Sequence, residues 1–141
     1  MSNIISTPET FGKDMEKIFK TYTEEVTEAV VKEVYDTGTE AVEKLRTIQM
    51  PAQSEAGSAR PMKRRTWNRY SGSWGLDTRE GNNYYHCTVR NKRHYRLTHL
   101  LEKGHATRNG THTRAFKHIE PVNDYCQERL IRNIPIIIGG K

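Results

Sequence analysis

Ser73-Trp74-Gly75-Leu76-Asp77-Thr78-Arg79-Glu80-Gly81-Asn82-Asn83-Tyr84-Tyr85-His86-Cys87-Thr88-Val89-Arg90-Asn91 is the stretch on which the fold class turns. Two short runs, Ser73 to Arg79 and Tyr84 to Asn91, flank the turn formers Glu80-Gly81-Asn82-Asn83, and that arrangement reads as a β-hairpin. In the second run Tyr85, Cys87 and Val89 alternate with Tyr84, His86, Thr88 and Arg90, which sets an apolar face against a polar one. A lone hairpin does not bury such a face by itself. The second layer has to come from the flanks, and both flanks are helical in pattern.

Upstream, Phe11, Met15, Ile18, Tyr22, Val26, Val30, Val34, Ala41, Leu45 and Ile48 recur at steps of three, four or seven, the stripe of one long amphipathic helix. Thr7 is its expected N-cap, Pro8 its first-turn proline, and Glu9 suits the positive end of the helix dipole. Some 40 residues of helix would run about 60 Å, longer than a domain of this size is wide. Either the helix breaks at Asp36-Thr37-Gly38-Thr39, where glycine costs about 1 kcal/mol relative to alanine, or it reaches another subunit. Pro51 is expected to end it. Residues 51–61, small, polar and bracketed by prolines, read as a flexible loop.

Downstream, Arg96 to Lys103 sets Leu97, Leu100 and Leu101 at helical spacing, with Gly104 placed for a left-handed C-cap. Residues 105–118 form a polar loop with a turn at Asn109-Gly110, and Pro121 opens a helix carrying Val122, Tyr125, Cys126 and Leu130 to about Asn133. Ile134-Pro135-Ile136-Ile137-Ile138 is β-prone and apolar, and is expected to dock on this subunit or the next. The expected class is therefore α+β in one domain: a helix over 1–50, the loop, a body over 62–133 with a hairpin and two helices, and an apolar tail over 134–141.

At 141 residues and 34% hydrophobic content, with a mean hydropathy of -0.87, the chain has a small core and reads as a subunit that folds with help from neighbours. There is no apolar run long enough to span a bilayer and no basic-then-apolar start, so membrane and export readings drop out. Cys87 and Cys126 are too few for a disulfide framework and read as small buried hydrophobes. The net charge of +6 is unevenly spread: residues 1–50 carry 6 basic and 10 acidic groups, whereas residues 59–117 carry 14 basic and 3 acidic ones. A chain polarised in this way suits head-to-tail pairing with copies of itself, or contact between its basic part and nucleic acid.

The six histidines, His86, His94, His99, His105, His112 and His118, all fall within 33 residues. Their spacing matches no zinc-finger pattern, and no cofactor is expected. A histidine nuclease would set a general base beside phosphate-holding Arg90, Lys92, Arg93 and Arg96, but the only carboxylates of that region are Asp77, Glu80 and Glu102, widely scattered. Lys63-Arg64-Arg65-Thr66-Trp67-Asn68-Arg69-Tyr70 interleaves basic and aromatic residues, as a base-stacking surface does and equally as a strand or turn beside a subunit interface does. A basic nucleic-acid-binding module and a histidine nuclease stand as the alternatives to a structural role.

The run Tyr95-Arg96-Leu97-Thr98-His99-Leu100-Leu101-Glu102-Lys103-Gly104-His105-Ala106-Thr107-Arg108-Asn109-Gly110, continued by Ala115-Phe116-Lys117-His118-Ile119-Glu120-Pro121, resembles the tail-completion or minor tail proteins of long-tailed bacteriophages, of the gene-product-ten type found in the neck. Lys63-Arg64-Arg65-Thr66, then Tyr70 and Ser73-Trp74, is similar to that family's basic-threonine stretch, although Trp67 stands where a glycine is common. The resemblance covers about residues 8–133. It implies a non-enzymatic virion protein that assembles in the host cytoplasm and acts as a ring, with six copies as the natural number. Its implied neighbours are a head connector or stopper protein and a tail terminator or tube protein, with non-specific contact to passing DNA. On this reading Arg90, Lys92, Arg93, Arg96, Arg108 and Arg114 face a neighbour or the DNA path. Leu97, Leu100 and Leu101 pack on the sheet, Gly104 turns the chain, His105 and His118 fix the loop, and Asn109, Gly110 and Pro121 complete the motif.

Overall fold

The computed structural model describes residues 7–50, 63–106, 110 and 112–139. The fold is α+β: a long helix α1 (Phe11–Thr47), a short helix α2 (Arg64–Ser71), strands β1 (Trp74–Glu80) and β2 (Tyr85–Asn91), helix α3 (Tyr95–Lys103) and helix α4 (Ile119–Gly139). The expected loop over 51–61 lies outside the described residues.

The hairpin forms as its sequence dictates. Strands β1 and β2 pair antiparallel from Trp74 with Asn91 to Glu80 with Tyr85, and the connecting loop closes through the Gly81 N–H to the Tyr84 carbonyl at 3.0 Å. Trp74, Leu76, Val89 and Cys87 share the face turned to α1, while Asp77, Arg79, His86 and Arg90 share the outer face.

Helix α1 runs unbroken through Gly38, against the alternative of a break there. The glycine is set by packing: a Cβ at that position would lie 2.5 Å from Cys87 Sγ and 2.8 Å from Leu76 Cδ1, so only a bare backbone lets the helix lie this close to the hairpin. The helix also starts later than expected. Thr7 to Thr10 form a turn closed by the Thr10 N–H on the Thr7 carbonyl at 3.1 Å, so Pro8 occupies a turn position and the N-cap is Thr10. At the other end α1 stops at Thr47, ahead of Pro51, with Ile48 already extended.

Two further expectations are corrected. Arg64–Ser71 is a helix, not a strand or turn, because Trp67, Tyr70 and Ser71 recur at helical spacing on one buried side. The body therefore holds three helices, not two. Ile134 to Ile138 continue α4 instead of forming a separate β-prone tail, with Pro135 inside the helix, and Ile134 and Ile137 are half-buried. Their neighbour is α1, which lies antiparallel: Tyr22 Oη donates to the Ile138 carbonyl at 2.6 Å, Arg129 meets Glu33 at 2.8 Å, and Tyr125 Oη donates to Glu40 at 2.9 Å. A helical partner along its length outweighs the β propensity of isoleucine.

One core joins these elements: Ala41, Val42 and Leu45 of α1, Trp67 and Tyr70 of α2, Trp74 of β1 and Val122 of α4. No described helix is long and apolar enough to cross a membrane.

Candidate functional site

Residues of the 95–121 stretch and of α2 converge on a buried imidazole. His118 is 2% exposed and lies among the rings of Trp67, Tyr70, Trp74 and Phe116, stacked on the last with centroids 5.4 Å apart. Its Nε2 is 2.6 Å from Tyr70 Oη, and its Nδ1 is 2.9 Å from the Phe116 carbonyl and 3.0 Å from Glu102 Oε2. A carbonyl only accepts, so Nδ1 carries the proton, and in the neutral ring Nε2 accepts from the tyrosine. Burial, with Glu102 second, pushes the Tyr70 phenol far above its ordinary pKa and keeps it a donor.

Glu102, at the end of α3, caps α4 from a distance of 16 residues. Its Oε2 accepts the N–H groups of His118 at 2.9 Å and Ile119 at 3.0 Å, and its Oε1 accepts that of Glu120 at 2.9 Å. The next residue, Pro121, has no N–H. The donors that a helix start leaves unpaired are thus all accounted for. Burial pushes the Glu102 carboxyl up, and these N–H groups and His118 outweigh it, leaving its pKa below the ordinary glutamate value. Pro121 is the third residue of the helix, not its opening.

Gly104 ends α3 with φ 72° and ψ 171°, a positive φ as expected but an extended ψ in place of the left-handed helical one. A Cβ there would strike the Thr113 carbonyl, because the chain returns beside it. The His105 N–H donates to Thr113 Oγ1 at 2.8 Å, the Thr113 N–H donates to the His105 carbonyl at 2.8 Å, and Ala106 bridges to His112. The 105–118 segment is thus tied at its base by His105 and anchored at its end by His118. Gly110 has φ 76°; Arg108 and Asn109 lie outside the described residues. Leu97 and Leu101 pack against the core, whereas Leu100 is 39% exposed and does not join them.

The cations named from sequence divide into two kinds. Arg90 and Lys92 both pair with Asp77 on the outer face of the hairpin, Lys92 at 3.2 Å. Lys92 and Arg90 hold the Asp77 carboxyl below its usual range. Arg93 and Arg114 are exposed and make no hydrogen bond or ion pair within the described residues, and Arg96 lies 5.9 Å from the ring of its neighbour Tyr95. A polar cleft of about 760 Å³ brings Arg93 and Lys92 together with Arg46, Arg69 and His94. Arg69 comes from the basic and aromatic stretch 63–70 weighed from sequence, whereas Arg46 carries no sequence signal, because it belongs to an acidic segment.

Two more features lack a local sequence signal. Arg129 of α4 sits between Glu33 and Glu40 of α1, with Asn133 also donating to Glu33 at 2.8 Å. Arg129 and Asn133, against the cost of burial, hold the Glu33 carboxyl below its ordinary value. The second is an apolar cavity of about 360 Å³ between α1, β2 and α4, lined by both cysteines. Cys87 and Cys126 are half-buried where full burial is expected, and burial pushes both thiols up, away from reactive thiolate. Among the described residues no cluster of His, Cys, Asp and Glu has metal-binding geometry. No family model, curated protein or solved structure matches this chain.

Proposed function

We propose that the chain is a structural subunit of the neck of a long-tailed bacteriophage, which completes the tail and joins it to the head connector as part of a ring, with six as the expected number of copies. The observation that carries this reading is where the polar residues of the motif are spent. His118, Glu102 and Tyr70 bond to one another and to backbone, with His118 at 2% exposure, so this imidazole is sealed from any substrate. Polar groups spent on holding a loop and a helix start are groups that build a surface.

The outward groups fit assembly. Helix α1 is net acidic, whereas residues 59–117 are strongly basic and set Arg69, Lys92 and Arg93 in the cleft, a division of charge that suits a heterologous interface between successive subunits. The cations of the cleft also suit phosphate, so DNA contact is the second reading, supported by Arg46, Arg69, Lys92 and Arg93 meeting in one depression. A null allele in the parent phage, examined by negative-stain electron microscopy, separates these readings. Filled heads beside unattached or aberrant-length tails support the neck assignment. Intact infectious virions overturn it, and a steep salt dependence of binding to free DNA would then favour the second reading.

A further inference from the structure

Helix α4 ends at Gly139, level with Tyr22 of α1 through the Tyr22 bond to the Ile138 carbonyl. The stretch of α1 before Tyr22, Phe11 to Thr21, therefore extends about 16 Å beyond its partner. On the side of α1 that α4 covers further along, this overhang carries Phe11, Met15 and Ile18, followed by Tyr22, with Phe19 at the edge. Phe11 is 58% exposed, Phe19 61%, Tyr22 50% and Ile18 43%. An isolated helix of this length is marginal in water, and an apolar stripe left bare along it calls for a cover.

We propose that the cover is the same overhang of a second copy, laid antiparallel across a twofold axis so that each α1 continues the track of the other chain's α4. The spacing of the stripe, four, three and four residues from Phe11 through Met15 and Ile18 to Tyr22, reads identically in both directions. An antiparallel copy sets Phe11 against Tyr22 and Met15 against Ile18 in each of two equivalent halves. The stripe edge is complementary too: Phe19 of one chain lies over Gly12 of the other, where even a Cβ would meet nothing within 4 Å.

Charge favours the same occupant. The last turn of α4 carries no basic side chain, and in this register the α1 N-terminus of the second copy arrives there, bringing the positive end of one helix dipole to the negative end of another. The area suffices: six aromatic rings with roughly 100 Å² each to lose, plus the aliphatic side chains between them, reach the order of 1,000 Å² that a specific interface requires. The contact is independent of the neck assignment, and it leaves the basic cleft free for a different neighbour.

Sedimentation equilibrium of the full chain tests the proposal. The expected result is a dimer at micromolar concentration that persists in 0.5 M salt. Ile18→Glu should reduce it to monomer with the near-UV signal of Trp67 and Trp74 unchanged, and Ile131→Glu, on a more exposed isoleucine of α4, should leave it dimeric. A monomeric wild-type chain, or an oligomer indifferent to Ile18→Glu, overturns the proposal. Orientation is read by oxidation in a Cys87→Ser/Cys126→Ser background: Met15→Cys mixed with Ile18→Cys should cross-link between variants. Cross-links within each variant alone, and none in the mixture, overturn the antiparallel arrangement.

Discussion

Glu102 does at the residue scale what a local cap does elsewhere, but it reaches across from another helix to do it. Its carboxylate satisfies three N–H groups at the start of α4 and touches the buried His118. Replacing it by glutamine keeps an acceptor oxygen and removes the charge, so Glu102→Gln should cost about 1–2 kcal/mol at pH 7. The pH dependence follows from the direction of the shift. The folded-state pKa lies below the unfolded one, so the stability it contributes is complete above the unfolded value, near about 4.3, and fades as pH falls through the folded value. Urea denaturation followed by tryptophan fluorescence at pH 7 and pH 3 checks this. The gap between wild type and Glu102→Gln should narrow at pH 3; a gap of equal size at both pH values would mean that charge is not what caps the helix.

At the scale of elements, Gly38 shows how local and tertiary terms oppose each other. Helix propensity alone makes Gly38→Ala stabilising by about 1 kcal/mol. The added methyl, however, would press on Cys87 Sγ and Leu76 Cδ1, and overpacking of that kind costs roughly 1–3 kcal/mol. The expected net effect is a lower melting temperature. The same opposition explains what is legible in the sequence. The hairpin, α3 and the positive φ of Gly104 are readable because turn residues and period-two or helical spacing encode them within a few positions. Helix α2 is hidden because its pattern spans only two turns. The C-terminal extent of α4 is hidden because isoleucines and a proline oppose it locally, while α1, far away in sequence, supplies the partner. In the site, His105 and His118 are legible as loop anchors, but the roles of Tyr70 and Glu102 are not, since a cap supplied by another helix has no local signature. Their only trace is negative: Glu102 is one of just 3 acidic groups among residues 59–117.

For the whole molecule the question is which cations are spent on the fold and which are offered outward. Arg90 and Lys92 are engaged with Asp77, so reversing them leaves like charges on the outer face of the hairpin and disturbs the fold as well as any interface. Arg93 and Arg114 have no such partner among the described residues, and Arg96 rests on Tyr95. An Arg93→Glu/Arg96→Glu variant should therefore keep its stability within about 0.5 kcal/mol per substitution, the range of surface changes away from packed features. On the neck role proposed above, it should nevertheless fail to complement a null allele in head–tail joining, because the proposed heterologous interface would lose the attraction between the basic body and the acidic helix and acquire repulsion in its place. Thermal melting of the purified variant and plating of the complemented phage measure the two effects separately. A melting temperature lowered as far as by a core substitution would place these arginines in the fold, and full complementation would remove the basic face from the joining surface. If the same variant also lowers the salt slope of DNA binding by about one unit for each phosphate no longer neutralised, the phosphate reading gains. If the slope is unchanged while joining fails, the partner of this face is protein.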